Sequence, residues 1–476
     1  MAPNNHFALS SRNKFQNGEI VLSGAVLVLD VGKTHTKLTL VSLEGHVPVA
    51  RVHANRQSPR EGALDAEGIE VWVMETIRQL AAETEIVAVA PVAHGAAAAL
   101  VAGDRLVAPV LDYEASPPPA VVARYDSERD PFGRTLSPRL QAGLNLGVQL
   151  AWHEDLNSDL WTYGTRVLTW PQYWSFRLCG ELASEVTSLG CHTDLWFPAE
   201  RDFSTLAKRR GWAKHFAPTR QAGEILGTVT GDVARDAHLP TRCEVICGLH
   251  DSNASLLAAR AQPDLAGGPF CLVSTGTWFV AMQSGATRAP CLDDTRDTLG
   301  NVDIAGRVVP SARFMGGREY VAIAGDAPAR AGSLADAASL IERGVTTRGT
   351  FTSGCGPFPH SAGGIDGEPR TAGERAALAS LHLALVTTAS LELIAVEGPL
   401  VVEGRFAQDP VFPAALAALR PEAPVICLTD ADGIAFGAAR LCAPNLLSTQ
   451  PAARVASLAA DIEPYAKRWL NIANRA

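Results

Sequence analysis

The residues best equipped for chemistry near the start of the chain fall in one stretch, 27–40, which reads LVLDVGKTHTKLTL. It sets an acid (Asp30), a glycine (Gly32), two lysines (Lys33, Lys37) and two hydroxyls (Thr34, Thr36) between apolar runs. Gly-Lys-Thr is the tail of a P-loop. A P-loop, however, needs a glycine five positions before the one that precedes the lysine, so that backbone amides wrap a phosphate. That position is Leu27. A P-loop also opens a helix, whereas Thr34, Thr36, Leu38 and Leu40 alternate with His35, Lys37, Thr39 and Val41 at the period of a strand. The stretch therefore reads as strand, tight turn, strand, with Gly45 at the next turn. A glycine at such a tip lets a phosphate approach the backbone, and an acid there suits a hydrated magnesium ion. An ordinary solvated turn accounts for the same residues.

A second candidate is Asp251. An apolar strand, 243–247, ends in Gly-Leu-His-Asp, and a run of small residues from Ser255 reads as a helix. An acid at that junction either caps the helix or presents its carboxylate to a ligand. Cys243, Cys247 and His250 are close in sequence, but the gap between the cysteines is wrong for zinc and a fourth ligand is missing. Further on, FCLVSTGTWFVAMQ (270–283) repeats the opening theme, an apolar strand running into Thr275, Gly276 and Thr277 and another running out. Two such hairpins imply a fold built twice, with a boundary near residue 255.

These turns need a frame. Helical periodicity covers 66–82, and strands are expected over 47–52, 86–92 and 106–111, the last running into Asp112-Tyr113-Glu114. Residues 165–215 are aromatic-rich and read as helices with loops. A long helix is expected over 374–396, strands over 399–402 and 425–428, and a small-residue helix over 431–442. Strands alternating with helices indicate an α/β architecture. The chain has 476 residues, too many for one core. It is 47% hydrophobic and 19% charged, as expected of a globular rather than a disordered chain. A net charge of −9 without a basic run argues against nucleic acid as a partner. The polar first eighteen residues or so contain no signal-like apolar core. The most apolar stretches are interrupted by polar residues, which argues against a membrane span. Nine cysteines, an odd number without a framework, suit reduced thiols in a cytoplasm.

The order DVGKTHTK, GLHDSNAS, STGTW, EGRFAQDPVF, ADGIAFGAARL resembles the FGGY carbohydrate kinases over roughly residues 24 to 445. Within that family, GLHD followed by STGTW is most similar to the L-rhamnulose and L-fuculose kinases. The resemblance implies a duplicated actin-like ATPase (ribonuclease H-like) fold. Its N-terminal domain, 19–255, would hold the sugar side and the first phosphate hairpin. Its C-terminal domain, 256–476, would hold the second hairpin and the adenosine side, with a cleft between the two.

The resemblance also implies roles. Asp251 would be the general base, and Asp30 would hold Mg2+ through water. Gly32, Lys33, Thr34, Thr36 and Lys37 would face the phosphates of ATP, as would Thr275, Gly276 and Thr277. Gly404, Asp432 and Gly437 would serve the adenosine, with Gly316 and Gly317 as backbone lining. His94, Gly95, Asp112, Tyr113, Gln172 and His250 are the sugar-side candidates. The sequence departs from the family at Arg405, where a glycine is usual, and at Lys33 and His35. The expected activity is phosphorylation of a small ketose by a monomer or homodimer. A ketopentulose such as xylulose or ribulose is the alternative substrate, and a sugar-binding form without turnover is the alternative class.

Overall fold

A computed structural model describes residues 24–44, 48–55, 62–162, 164–265, 267–288, 292–325, 331–429, 433–446 and 452–474, and the backbone of two short strands, Asn13–Gln16 and Glu19–Leu22. Gly45, Val47, Ala431 and Asp432, all used in the sequence reading, lie outside the described residues. The chain forms two units. One comprises residues 1–261, 301–308 and 432–449, and the other 262–300, 309–431 and 450–476.

In the first unit β1 (Ala25–Val31), β2 (His35–Ser42) and β3 (Val49–Ala54) form an antiparallel meander. α1 (Ala66–Ala81) crosses to β4 (Ile86–Ala93), which pairs parallel with β1. The Asp65 side chain starts α1 by accepting from the Gly68 amide at 3.0 Å. Ile69, Val73, Ile77 and Leu80 then fall on one buried face, as the helical period requires. α2 (Trp170–Cys179), β5 (Ile225–Thr228), β6 (Glu244–Ile246) and α3 (Asp251–Arg260) follow. The sheet order is β5-β6-β4-β1-β2-β3, and the pair Leu249–His250 adds a parallel step at the end of β4. β1 and β4 are buried almost throughout, which explains their unbroken apolar runs.

The second unit repeats this plan. β7 (Phe270–Thr275), β8 (Phe279–Ser284) and β9 (Val308–Phe314) form the meander. α4 (Gly316–Ala324) and the long α5 (Ala372–Leu393) lead to β10 (Leu400–Gly404), parallel to β7. α6 (Phe412–Leu419) leads to β11 (Val425–Leu428), parallel to β10. α7 (Gly433–Cys442) comes next in the chain and belongs to the first unit. β12 (Ala452–Arg454) and α8 (Ile462–Ala473) close the second unit. The sheet path is β9-β8-β7-β10-β11-β12, with Thr298–Val302 outside β9. Each sheet thus has a first strand antiparallel to the second and parallel to the fourth, and a last strand antiparallel to the fifth. That is the duplicated α/β plan expected from the two hairpins. α5 is the one helix among the described residues long and apolar enough to span a membrane, and it is packed inside its unit.

Three expectations are corrected. A boundary at 255/256 would cut α3, and the units divide after Ala261. The helix over 431–442 does not stay with the C-terminal half, since α7 packs in the core of the first unit. The strand expected over 106–111 is displaced. The strand is Ala98–Ala102, a turn at Gly103 (φ +59°) reverses the chain, and only Arg105–Leu106 pairs back. Beyond it Pro109 lacks the amide that a ladder needs.

Candidate active site

One row of the first sheet gathers the chemistry. Asp30 pairs with Val92 and Val31 with Ala93, and Leu249 and His250 pair with the same two residues from the other side. Asp30, His94, His250 and Asp251 are therefore brought to one end of three adjacent strands. The turn that delivers His250 depends on Gly248, with φ +80°, where a Cβ would lie 2.3 Å from the Pro91 carbonyl oxygen.

Asp251 is the first residue of α3, not a cap for a helix starting at Ser255. Its Oδ1 accepts from the Ser252 amide at 2.6 Å and the Ser252 hydroxyl at 3.3 Å, and lies 3.3 Å from His250 Nε2. Its side chain is 27% exposed, and Oδ2 has no protein partner among the described residues. One oxygen is tethered while the other is open.

Burial, followed by the negative charge of Asp251, raises the Asp30 carboxyl to about 7, against the pull of Lys37. A carboxylate held near another negative group invites a cation. Among the described residues no three His, Cys, Asp or Glu side chains cluster as metal ligands. Magnesium fits that donor set, because it retains waters and is commonly held by one or two carboxylates together with substrate phosphates. Asp30 is the residue that would hold it, and there it would neutralise phosphate charge.

The first hairpin tip is fixed by Asn55, which the sequence reading missed. Asn55 Nδ2 donates to the Gly32 carbonyl at 2.9 Å, its Oδ1 accepts from the Thr36 hydroxyl at 2.7 Å, and its amide donates to Thr34 O at 2.8 Å. Thr36 is fully buried, so its hydroxyl is committed to the turn and not to a phosphate. Thr34 is exposed at the tip and Lys37 is half-buried opposite Asp30. Lys33 pairs with Asp112, lies 3.6 Å from Glu114, and sits 5.1 Å from the Tyr113 ring centroid. It is thus tied to the segment expected to face sugar.

On that side His94 is buried, and burial, only partly opposed by its bond to the Gly95 carbonyl, lowers its basicity. Its Nδ1 lies 2.7 Å from the Gly95 oxygen, and its Nε2 is buried without a partner among the described residues. The ring meets Tyr113 edge-on at 5.4 Å. Gly95 is required by packing, because a Cβ there would lie 2.7 Å from Cys191 Sγ and 2.9 Å from His250 Nε2. Gln172 is a correction. Its Nε2 donates to the carbonyls of Cys247 (3.0 Å) and Gly248 (3.1 Å), and its Oε1 accepts from Thr169, so it holds the turn before Asp251 instead of facing a sugar.

The second unit carries the other hairpin. Gly404 has φ +83°, and a Cβ would lie 2.2 Å from the Thr275 carbonyl oxygen. The Thr275 hydroxyl donates to Glu403 O and accepts from the Phe406 amide at 3.0 Å, stitching β7 to β10. Thr275 is therefore structural, a correction like those of Thr36 and Gln172, while Gly276 is half-buried and Thr277 exposed. The Gly317 amide donates to Thr277 O at 3.2 Å, and a Cβ on Gly317 would lie 2.6 Å from Gly276 O. Gly316 packs under the Phe279 ring. Arg405 is exposed, with its guanidinium 5.9 Å from the Tyr320 ring centroid. Gly437 is a fourth correction: it lies in the first unit, where a Cβ would lie 1.8 Å from Ala254 O, so it serves the packing of α7 on α3.

The comparisons with known proteins agree with this frame. Residues 267–451 match the family described as carbohydrate kinase FGGY, C-terminal domain. A carbohydrate kinase from Novosphingobium aromaticivorans is 40% identical, with 95% of this chain and 99% of that one covered and a TM-score of 0.90. The chain belongs to the FGGY carbohydrate kinase family. L-fuculokinase of Escherichia coli (strain K12) is 26% identical over 283 residues, or 55% of this chain and 57% of that one, so the match spans little more than half of that curated relative. A xylulose kinase from Lactobacillus acidophilus, 14% identical, has a TM-score of 0.74 over 94% of this chain and 96% of that one, which shows a shared fold.

Proposed function

We propose that the protein transfers the γ-phosphoryl group of ATP to a hydroxyl of a small ketose of the L-rhamnulose or L-fuculose type, with Asp251 as general base. Phosphoryl transfer asks a protein mainly to position the acceptor, take its proton and neutralise charge. The observation that carries the reading is the Asp251 carboxylate, with Oδ1 tethered by Ser252 and Oδ2 open. A fixed carboxylate with a free oxygen can accept the proton of a bound alcohol at hydrogen-bond range. Buried polar groups with spare capacity stand beside it, as a polyol site requires.

The first unit takes the sugar through His94, His250, Tyr113 and the Lys33–Asp112 pair. The exposed tips at Thr34 and Thr277 offer hydroxyls and amides to phosphates, and the Gly404–Arg405 turn serves the nucleotide. The GLHD and STGTW motifs and the likeness to an L-fuculokinase support this sugar class. Activity in the cytoplasm, on free sugar, without nucleic acid or membrane partners, completes the reading.

The test is a panel of ketoses and polyols at fixed Mg-ATP, followed by coupled ADP release. L-Fuculose or L-rhamnulose is expected to give the largest kcat/KM. A clear preference for D-xylulose or D-ribulose would move the substrate to the ketopentuloses. A rate no greater than that without sugar would refute the kinase, and sugar binding without turnover would leave a sensor.

A further inference from the structure

Cys191 belongs to none of the motifs, yet its sulfur lies 3.2 Å from His250 Nε2. That nitrogen is also 3.3 Å from Asp251 Oδ1. Cys191 is buried, and its loop is built rather than incidental. Asp194, three residues on, is held by Arg129 at 2.7 and 3.0 Å and by the Tyr125 hydroxyl. His192 lies 2.7 Å from Leu144 O through Nδ1. Gly190 packs so closely on Val302 that a Cβ would lie 2.3 Å from its Cγ2. The His250 backbone is fixed too, since its amide donates to the Thr187 hydroxyl at 3.0 Å. Thr187 in turn is held by Glu185.

An ionised Asp251 carboxylate only accepts, so the His250 nitrogen it faces, Nε2, carries the proton. The other ring nitrogen, Nδ1, is buried and has no partner among the described residues. The sulfur and the imidazole polarise each other. Burial favours the neutral thiol, but His192 and His250 outweigh it and bring Cys191 down to about 5. Burial opposes the imidazolium, but Cys191 and Asp251 outweigh it, helped by Glu185, and take His250 up to about 9. An imidazolium donates from both nitrogens. His94, whose Nδ1 donates to the Gly95 carbonyl and whose ring burial keeps neutral, has Nε2 free as an acceptor. The site therefore offers one unused donor and one unused acceptor on two buried rings.

We propose that Cys191 is a positioning residue: by holding His250 at Nε2 it leaves Nδ1 as a donor to an oxygen of the acceptor sugar, beside the acceptor Nε2 of His94. This rests on the kinase reading above. It adds a residue outside the recognised motifs and a hydrogen-bond polarity for the sugar, which must place an accepting oxygen at His250 and a donating hydroxyl at His94.

The test compares full-length wild type with Cys191→Ser and Cys191→Ala, using L-fuculose and D-xylulose as probes. The expected result for Cys191→Ala is a rise of about tenfold or more in sugar KM, since a lost partner at a buried polar group costs a tenfold change or more in binding. KM for ATP should stay within about twofold, a split that general unfolding would not produce. Cys191→Ser, which keeps a hydrogen-bonding atom, should recover part of the loss. Wild type should also show ultraviolet thiolate absorbance at neutral pH that disappears in both variants and in His250→Gln. Sugar-dependent turnover with unchanged sugar KM in Cys191→Ala would overturn the positioning role while leaving the kinase standing. Absence of sugar-dependent ADP release in wild type would overturn the kinase reading itself, and the inference with it.

Discussion

Gly95→Ala is the most local perturbation of the site, because it adds one methyl and removes no functional group. Gly95 does not have a left-handed backbone, so the variant carries no conformational strain of its own. The added Cβ would stand 2.7 Å from Cys191 Sγ, 2.9 Å from His250 Nε2 and 3.2 Å from His250 Cδ2, whereas ordinary contact begins at 3.4 Å. The sulfur must therefore retreat by about 0.7 Å and the ring nitrogen by about 0.5 Å. Neither retreat is free, for the sulfur is on an anchored loop and the histidine is paired with Ala93 immediately before α3. Overpacking of this kind costs about 1–3 kcal/mol of stability. Displacing a positioned group by up to an ångström costs as much as ~10²-fold in rate. The expected outcome is a folded enzyme whose kcat/KM for sugar is lower by about 10–100-fold, the range that displacement implies. KM for ATP should be nearly unchanged. Coupled ADP release gives the constants, and a thermal melt separates the stability loss. A folded Gly95→Ala enzyme with wild-type kcat/KM would show that the Cys191–His250 contact does not matter to the acceptor.

Four further outcomes are expected. Asp251→Asn should lower kcat by about 10²–10⁴-fold, the usual worth of a general base; circular dichroism should be unchanged, and a smaller loss would demote the residue. Gly404→Ala places a Cβ 2.2 Å from the Thr275 carbonyl oxygen at a φ of +83°, so KM for ATP should rise steeply or the second unit should unfold; a wild-type melt and KM would contradict the stitched turn. Lys33→Met removes the ammonium that pairs with Asp112, and it should raise KM for sugar more than KM for ATP; the reverse would return Lys33 to the phosphates. His153 is buried, and burial lowers it to about 4 from an ordinary 6.5. The unfolded chain therefore binds the extra proton between those values. Its neutral form contributes full stability above about 6.5, which is lost as pH falls towards 4. His153→Gln should accordingly flatten the loss of denaturation free energy in that window by roughly 3 kcal/mol, and an unchanged pH slope would contradict it.

The legible parts of this chain were those set by local pattern. Helix 66–82 was readable because Ile69, Val73, Ile77 and Leu80 repeat on one face. Both hairpins were readable because a turn glycine sits between apolar strands. What failed was the use to which individual polar side chains are put. Thr36 and Thr275 look like phosphate hydroxyls in sequence, but each closes its own turn, Thr36 through Asn55 and Thr275 through Glu403 and Phe406. Gln172 is spent on a turn that arrives from far along the chain. Gly437 looks like a nucleotide glycine until Ala254 is seen against it. Cys191 has a histidine next to it in sequence, His192, yet it also packs on His250, which only the parallel step beside β4 brings near. Each of these depends on a contact across the fold, which no local spacing encodes.

The duplicated plan also sets the acid of the first hairpin against a serine at the same place in the second. Asp30 is the penultimate residue of β1 and Ser274 the penultimate residue of β7, so the two occupy equivalent places in equivalent sheets. Their neighbours differ. Asp30 pairs with Lys37 on one side and Val92 on the other, so a cationic strand partner offsets its charge. Ser274 pairs with Val280 and with the buried carboxylate of Glu403. An aspartate at 274 would set a second acid beside Glu403 on the adjacent strand. The first tip thus sets an acid beside a lysine, and the second sets a serine beside an acid. One strand–turn–strand frame, used twice, therefore meets different charges at its two tips because its neighbouring strands differ, not because its own geometry does.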